Sequence, residues 1–291
     1  MYMSSRITLE ELLSLDYASV ERYLANFLRS VLRASGKAGF VIGVSGGVDS
    51  ATAYALAVRS VGADKVLALV MPDKEVTPAE DVSDAIDLVK SFGSRYDVVE
   101  ISNIVHSFTE SIPLASKRED RLAVGNLRAR VRMCILYYYA NALDMLVLGS
   151  SDRSEYLIGY FTKYGDGAVD IAPLTVLFKT QVRRFAEYLG VPKKITQKPS
   201  APRLWQNHLA EKELGMRYED IDLVLFAFLD LGLPVNQISV VTGVSEEIVK
   251  RVLQLYSSSQ HKRAGILMPD IKPVTQELVA KTLAKIKRAG G

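Results

Sequence analysis

The chain has 291 residues, enough for one large domain or two small ones with a substantial buried core. Its 48% apolar and 24% charged residues are ordinary for a globular protein, and 36 basic against 33 acidic residues leave a net charge of +3, too balanced for a general nucleic-acid binder. No apolar run reaches the ~20 residues of a membrane span, the N-terminal segment lacks the blocks of a secretory signal, and the single cysteine, Cys134, excludes an intramolecular disulfide and any CxxC site; the expectation is a cytoplasmic protein with no nucleic-acid or membrane partner.

Apolar residues from Leu13 to Val31 recur at helical spacing. GFVIGV (39–44) then reads as a short buried strand, followed by an alanine-rich helix from about Asp49 to Val61. KVLALVM (65–71) is a second strand, ended by Pro72. The next helix carries a start signal, with Thr77 as N-cap, Pro78 at the first position and Glu80 three beyond the cap, and Gly93 closes it. YDVVEIS (96–102) is a third strand, a long helix runs from about Arg118 to Leu143, and MLVLGS (145–150) is a fourth strand. Cys134, in the apolar stretch MCILYYYA, is expected to be a buried core thiol. Further helices are expected at 178–189, 218–230, 234–241 and 245–258, packed on the same core, with a last amphipathic stretch after SSSQHKRAGILMPDIKP.

Strands alternating with helices imply an α/β fold, a doubly wound parallel sheet of about five strands with additional C-terminal helices. Ligands of such sheets bind outside the carboxyl ends of the strands. SGGVDS (45–50) and GSSDRSE (149–155) both stand at such ends. Gly46 and Gly47 have no Cβ, so their backbone can approach a ligand closely. Consecutive N–H groups there can form an anion-binding nest, helped by the following helix N-terminus. Ser45 and Ser50 add hydroxyls, and phosphate is the natural guest. Asp49 would repel phosphate unless Mg²⁺ bridges the two. The loop lacks the lysine of a Walker motif and the spacing of a dinucleotide fingerprint. Between a buried strand and a helix, SGGVDS resembles the pyrophosphate-binding loop of the PP-loop ATP pyrophosphatases, which activate a carboxylate or carbonyl oxygen as an adenylate and release pyrophosphate.

Arg128 and Arg132, in GNLRARVRMCILYYYA, lie on one helix face and Arg130 points elsewhere. In GYFTKYGDGAVDIAPL the glycines break regular structure between Lys163, Asp166 and Asp170. Together with GNLRAR, GSSDRSE and FKTQVRRFAEYLGVP, this segment is similar to the ammonia-dependent NAD synthetases, from about residue 20 to 265. The resemblance implies one synthetase domain over 1–291, with a C-terminal helical tail from 266. It implies that Gly43, Val44, Ser45, Gly46, Gly47, Asp49 and Ser50 wrap ATP, with Ser150, Lys179 and Ser200 as further ATP contacts. Ser150 and Ser200 stand where many members have threonine. It places Mg²⁺ on Asp49 and Glu155. It assigns deamido-NAD to Arg130, Lys163, Asp170, His261 and Lys262.

The implied reaction joins the nicotinate carboxylate to the α-phosphorus of ATP, and ammonia then displaces AMP to give NAD. Asp49, Lys163, Asp170 and Lys179 are the candidate catalytic groups. No residue is an obvious general base; Asp170 is a candidate for assisting ammonium deprotonation. Glutamine-using relatives carry an amidase domain with a catalytic cysteine, whereas Cys134 falls inside the synthetase segment. A separate glutaminase subunit stays open. The resemblance also implies a homodimer with the substrate site across the interface. Two rivals are another PP-loop adenylating ligase, GMP synthetase-like or tRNA-modifying, and a non-catalytic nucleotide-binding regulator. The single cysteine and small net charge oppose a tRNA-modifying enzyme, and the retained Asp49, Glu155, Lys163 and Lys179 oppose the regulator.

Overall fold

The computed structural model describes residues 6–115, 117 and 120–289. Two N-terminal helices, α1 (Leu9–Leu13) and α2 (Tyr17–Ser35), lead into β1 (Phe40–Gly43), α3 (Val48–Val61) and β2 (Val66–Val70). Next come α4 (Ala79–Phe92), β3 (Arg95–Val98), α5 (Ser102–Ser111), α6 (Arg121–Ala142), β4 (Leu146–Leu148) and α7 (Arg153–Ile158). The four strands form a parallel sheet in the order β3-β2-β1-β4. A fifth position is reduced to one parallel bridge between Leu148 and Ile171.

The alternation along β1 divides the interior. Phe40 and Ile42 face one cluster with Leu24, Leu28, Tyr54 and Phe185, while Val41 faces another with Ile101, Val105 and Val131. All three strand residues are fully buried, because helices cover both faces. The remaining helices are α8 (Lys179–Leu189), α9 (Lys193–Thr196), α10 (Ala210–Leu214), α11 (Tyr218–Leu225), α12 (Val235–Thr242), α13 (Glu246–Ser258), α14 (Gln260–Arg263) and α15 (Lys272–Ala289). α11 runs on as a π-helical turn over Phe226–Asp230. Helices α10–α13 close around a separate buried cluster that also takes in Leu12, Ile158 and Phe178. α15 buries none of its described residues.

Four local expectations are corrected. The fourth helix begins at Ala79 with Pro78 as its cap, and Thr77 instead uses its hydroxyl to accept from the Asp73 N–H at 3.0 Å. The third strand ends at Val98, and Ser102 opens a helix that the strand reading had obscured. The long helix starts at Arg121 behind an Asp120 cap; residues 118 and 119 lie outside the described residues. Cys134 is exposed, not buried, because α6 packs through Gly125, Arg128, Ala129, Val131 and Ala140, a face Cys134 does not share.

Candidate active site

β1 delivers the Ser-Gly-Gly loop to the carboxyl edge of the sheet. Ser50 knits it: its Oγ accepts from the Ser45 N–H at 3.1 Å, donates to the Gly47 carbonyl at 3.1 Å and lies 3.0 Å from Ser45 Oγ. Gly46 is required twice over. Its φ is +80°, and a Cβ there would stand 2.2 Å from the Asp81 carbonyl oxygen. Gly47 caps α3 with no side-chain hydrogen bond, so the first N–H groups of that helix remain available to an anion. Residues 43–50, Ser150, Glu155 and Ser200 all line one cavity of about 630 Å³.

Beneath the loop sits a cluster of opposite charges. Lys179, the first residue of α8, is fully buried, and its Nζ lies 2.7 Å from Asp49 Oδ2, 2.6 Å from Asp152 Oδ2 and 2.8 Å from Glu155 Oε1. The Tyr218 ring lies 5.0 Å from the same nitrogen. One oxygen from each carboxylate falls within 4.8 Å of the others. Burial, opposed by Lys179, pushes the Asp152 carboxyl up, and burial with the Asp152 charge pushes Glu155 well up. Burial works against the Lys179 charge, yet Asp152, Asp49 and Glu155 together hold its pKa well above the usual lysine value. Three acids against one lysine leave the cluster short of positive charge. Asp49 Oδ1 is buried without a hydrogen-bond partner. Hard, crowded and under-neutralised oxygens are the donor set of a small divalent cation.

Asp222 holds this cluster from behind. It accepts from Ser154 Oγ at 2.5 Å, from the Thr180 N–H at 2.9 Å and from Thr180 Oγ1 at 2.8 Å. Ser154 Oγ in turn accepts from the Lys179 N–H at 2.9 Å. The N-termini of α7 and α8, which carry the acids and the lysine, are thereby fixed to each other.

The segment 198–208 forms another wall. Lys198 and Arg203 pair with Asp81, Arg183 donates to Ser200 Oγ at 3.1 Å, and Arg128 donates to the Leu204 carbonyl at 3.0 Å. Arg128 is buried and also pairs with Asp73 at 2.6 Å and Glu75 at 2.9 Å. Arg132 donates to the Met71 carbonyl, and burial brings its pKa down to about 10.

The residues expected to hold a dinucleotide are distributed differently. Lys262 lines the cavity and donates to the Gly159 and Phe161 carbonyls at 2.7 and 2.6 Å. Arg130, Lys163, Asp170 and His261 are not among its lining residues. Three of them form a chain of contacts, Arg130 to the Lys163 carbonyl at 3.2 Å and Lys163 Nζ to the His261 carbonyl at 2.9 Å. Asp170 accepts from the Val147 N–H at 2.7 Å and from the Tyr137 hydroxyl at 3.2 Å. Sequence reasoning missed Asp152, Asp222, Tyr160, His208 and Glu213. The N-cap place of Asp152 in GSSDRSE was a readable signal; the others sit in ordinary-looking helical or loop sequence.

The NAD synthase family model matches residues 20–265. The NH(3)-dependent NAD(+) synthetase of Aeropyrum pernix is 53% identical over 272 residues, 93% of this chain and 95% of that protein. The solved NMN synthetase of Francisella tularensis superposes with a TM-score of 0.78 at 33% identity, covering 88% of this chain and all of that one. The NH3-dependent NAD synthetase of Campylobacter jejuni superposes at 0.72 with 25% identity, covering 89% and 99%. With a Ser-Gly-Gly loop set above an acid–lysine cluster, and with these matches along nearly its whole length, the chain belongs to the NAD synthase family.

Proposed function

We propose that the chain amidates deamido-NAD with ammonia, using ATP as co-substrate and releasing AMP and pyrophosphate. The observation that carries this reading is the convergence, in one cavity, of the open-capped Ser-Gly-Gly loop and the Asp49–Asp152–Glu155–Lys179 cluster.

The residues divide the work. Backbone N–H groups of 45–47 and the α3 N-terminus bind phosphate oxygens, and Ser50 keeps the loop in its receptive shape. Asp49 and Glu155 would hold Mg²⁺, with Asp152 beside them, and the unpartnered Asp49 Oδ1 fits that role. When bound, Mg²⁺ supplies positive charge to phosphate oxygens during adenylation. Lys179 offsets the remaining carboxylate charge and stands near enough to the loop's helix to meet a phosphate group. The walls from α6 and segment 198–208 orient the two substrates and keep water from the acyl adenylate.

Arg130, Lys163, Asp170 and His261 bind the far portion of deamido-NAD in a homodimer. Their position outside the single-chain cavity supports this, as does Tyr138, which is 74% exposed on α6. Among the described residues no helix is long and apolar enough to cross a membrane, in keeping with work in the cytoplasm.

The test supplies ATP, Mg²⁺ and deamido-NAD with either ammonium or glutamine. NAD and AMP formed one-to-one from ammonium alone is the expected result, and no NAD from either donor overturns the assignment. A second reading, amidation of the mononucleotide, draws on the match to the Francisella NMN synthetase; the same assay with nicotinate mononucleotide as acceptor decides it.

A further inference from the structure

We infer that Glu213 is the docking site for the ammonium ion and the base that converts it to ammonia; this rests on the synthetase reading above. The reaction consumes a neutral nitrogen nucleophile, whereas ammonium dominates at neutral pH. A group that binds the small cation and takes its proton would raise the nucleophile's concentration where it reacts. Asp49, Asp152 and Glu155 are taken up by Lys179 and by the divalent cation proposed above.

Glu213, on α10, lines the same cavity as the nucleotide loop and Glu155. Its Oε2 accepts from the Tyr160 hydroxyl at 2.5 Å and lies 2.7 Å from His208 Nε2. The Leu204 N–H points at His208 Nδ1, at 3.4 Å, which makes Nδ1 the acceptor and leaves the ring proton on Nε2, facing Glu213. His208 is 2% exposed and stacks on Trp205 with ring centroids 3.5 Å apart; burial lowers its pKa and keeps it neutral. Glu213 is therefore held by two neutral donors through one oxygen. Its Oε1 has no protein partner among the described residues. The cations that bear on His208 are engaged elsewhere, Arg203 with Asp81 and Arg121 against Trp205.

The result is a positioned, uncompensated carboxylate on an aromatic wall. That combination suits a tetrahedral monovalent donor, which gains one charge-assisted hydrogen bond and contact with ring faces. The site is also near the acid–lysine cluster. Tyr160 donates its N–H to the Glu155 carbonyl at 2.8 Å, and Glu211, on the same short helix as Glu213, accepts from the Tyr218 N–H at 2.9 Å.

The step balances as follows. An N–H bond of ammonium breaks and its proton forms an O–H bond on Glu213 Oε1. The freed lone pair forms the C–N bond to the adenylated carboxyl carbon. The C–O bond to phosphorus-bound oxygen breaks, and its electron pair leaves with AMP. The new amide nitrogen sheds a second proton to solvent, and Glu213, which is part exposed, returns its own the same way.

The experiment compares wild type with Glu213→Gln for three readouts: NAD formed from ammonium, hydroxamate formed from hydroxylamine, and deamido-NAD-dependent ATP–pyrophosphate exchange without a nitrogen donor. Hydroxylamine is already neutral at pH 7.5 and needs no base. Positioned bases contribute about 10²–10⁴-fold, so kcat/KM for ammonium is expected to fall by about 100-fold or more. Hydroxamate formation and pyrophosphate exchange are expected to stay near wild type. Tyr160→Phe, which frees the carboxylate without removing it, should show the same nucleophile selectivity with a smaller loss. Equal losses for ammonium and hydroxylamine, or loss of pyrophosphate exchange in both variants, would assign these residues a structural role and overturn the proposal. So would an unchanged ammonium rate. A wild type that exchanges pyrophosphate and makes no NAD would overturn the synthetase reading itself.

Discussion

Lys179→Met tests the charge balance at the centre of the site. Methionine keeps an unbranched apolar stem of similar length and deletes only the charge. Three carboxylates, with side-chain exposures of 22%, 0% and 17%, are then left without their shared cation. Removing one partner of a buried ion pair costs about 3–5 kcal/mol. An unfolding entropy of about 2.1 cal/mol/K per residue gives about 0.6 kcal/mol/K for 291 residues, so Tm should fall by roughly 5–8 °C in a chelator. Mg²⁺ should then act differently on the two proteins. In the wild type it competes with Lys179 Nζ for the same oxygens; in the variant nothing competes. At a hundredfold excess over Kd, a bound cation stabilises by about 2.7 kcal/mol, enough to recover more than half of the loss. The assay is thermal unfolding with and without Mg²⁺ and with no nucleotide, so activity plays no part in it. A variant that melts within about 2 °C of wild type in chelator would refute the charge argument, that shift being less than half of the smallest expected. Equal Mg²⁺ shifts in both proteins would refute the shared site.

Gly46→Ala should weaken ATP binding at least tenfold and lower stability, since a left-handed backbone costs a non-glycine residue about 1–2 kcal/mol and the new Cβ would press on the Asp81 carbonyl; calorimetric ATP titration checks it, and wild-type affinity would refute it. Burial, outweighing the hydrogen bonds from Ser154 and Thr180, raises the Asp222 carboxyl from 3.8 to about 7. The folded chain thus holds a proton that the unfolded chain has released, so Asp222 loses stabilising effect as pH rises through that window, by up to about 4 kcal/mol at 1.36 kcal/mol per unit. Asp222→Asn should flatten the stability–pH curve between about pH 4 and 7 in urea unfolding, and parallel curves would refute the assignment.

The sheet was legible because β1 and β2 are short apolar runs ended by Gly-Gly and by Pro72, and buried parallel strands need both faces apolar. That residues 43–50 and Ser150 would meet in one cavity was legible for a similar reason: they cluster in sequence at the ends of β1 and β4. Cys134 was misread because an apolar neighbourhood does not say which helix face meets the core. Ser102 was misread because only Val99, Glu100 and Ile101 separate the strand from the helix, with no glycine or proline to mark the break. Glu213, His208 and Tyr160 come from three segments and acquire meaning only when segment 198–208 folds across the cavity. No periodicity in one segment encodes a partner in another.

Lys179 shows how a local rule broken by sequence points to chemistry. A lysine at the first residue of a helix opposes the helix dipole, and a fully buried one also opposes desolvation. Either feature alone would be selected against in a structural position. Here the compensation is specific. Asp49 lies in the first turn of α3, Asp152 caps α7 and Glu155 lies in its first turn, so three acids sit where helix dipoles favour them and all face one nitrogen. Asp222 and Ser154 satisfy the α8 N–H groups that a cap would otherwise serve. The acids therefore cannot be there for the sake of Lys179, since one would neutralise it. They exceed the positive charge that the chain itself places among them, a balance that the divalent cation proposed for this site would complete.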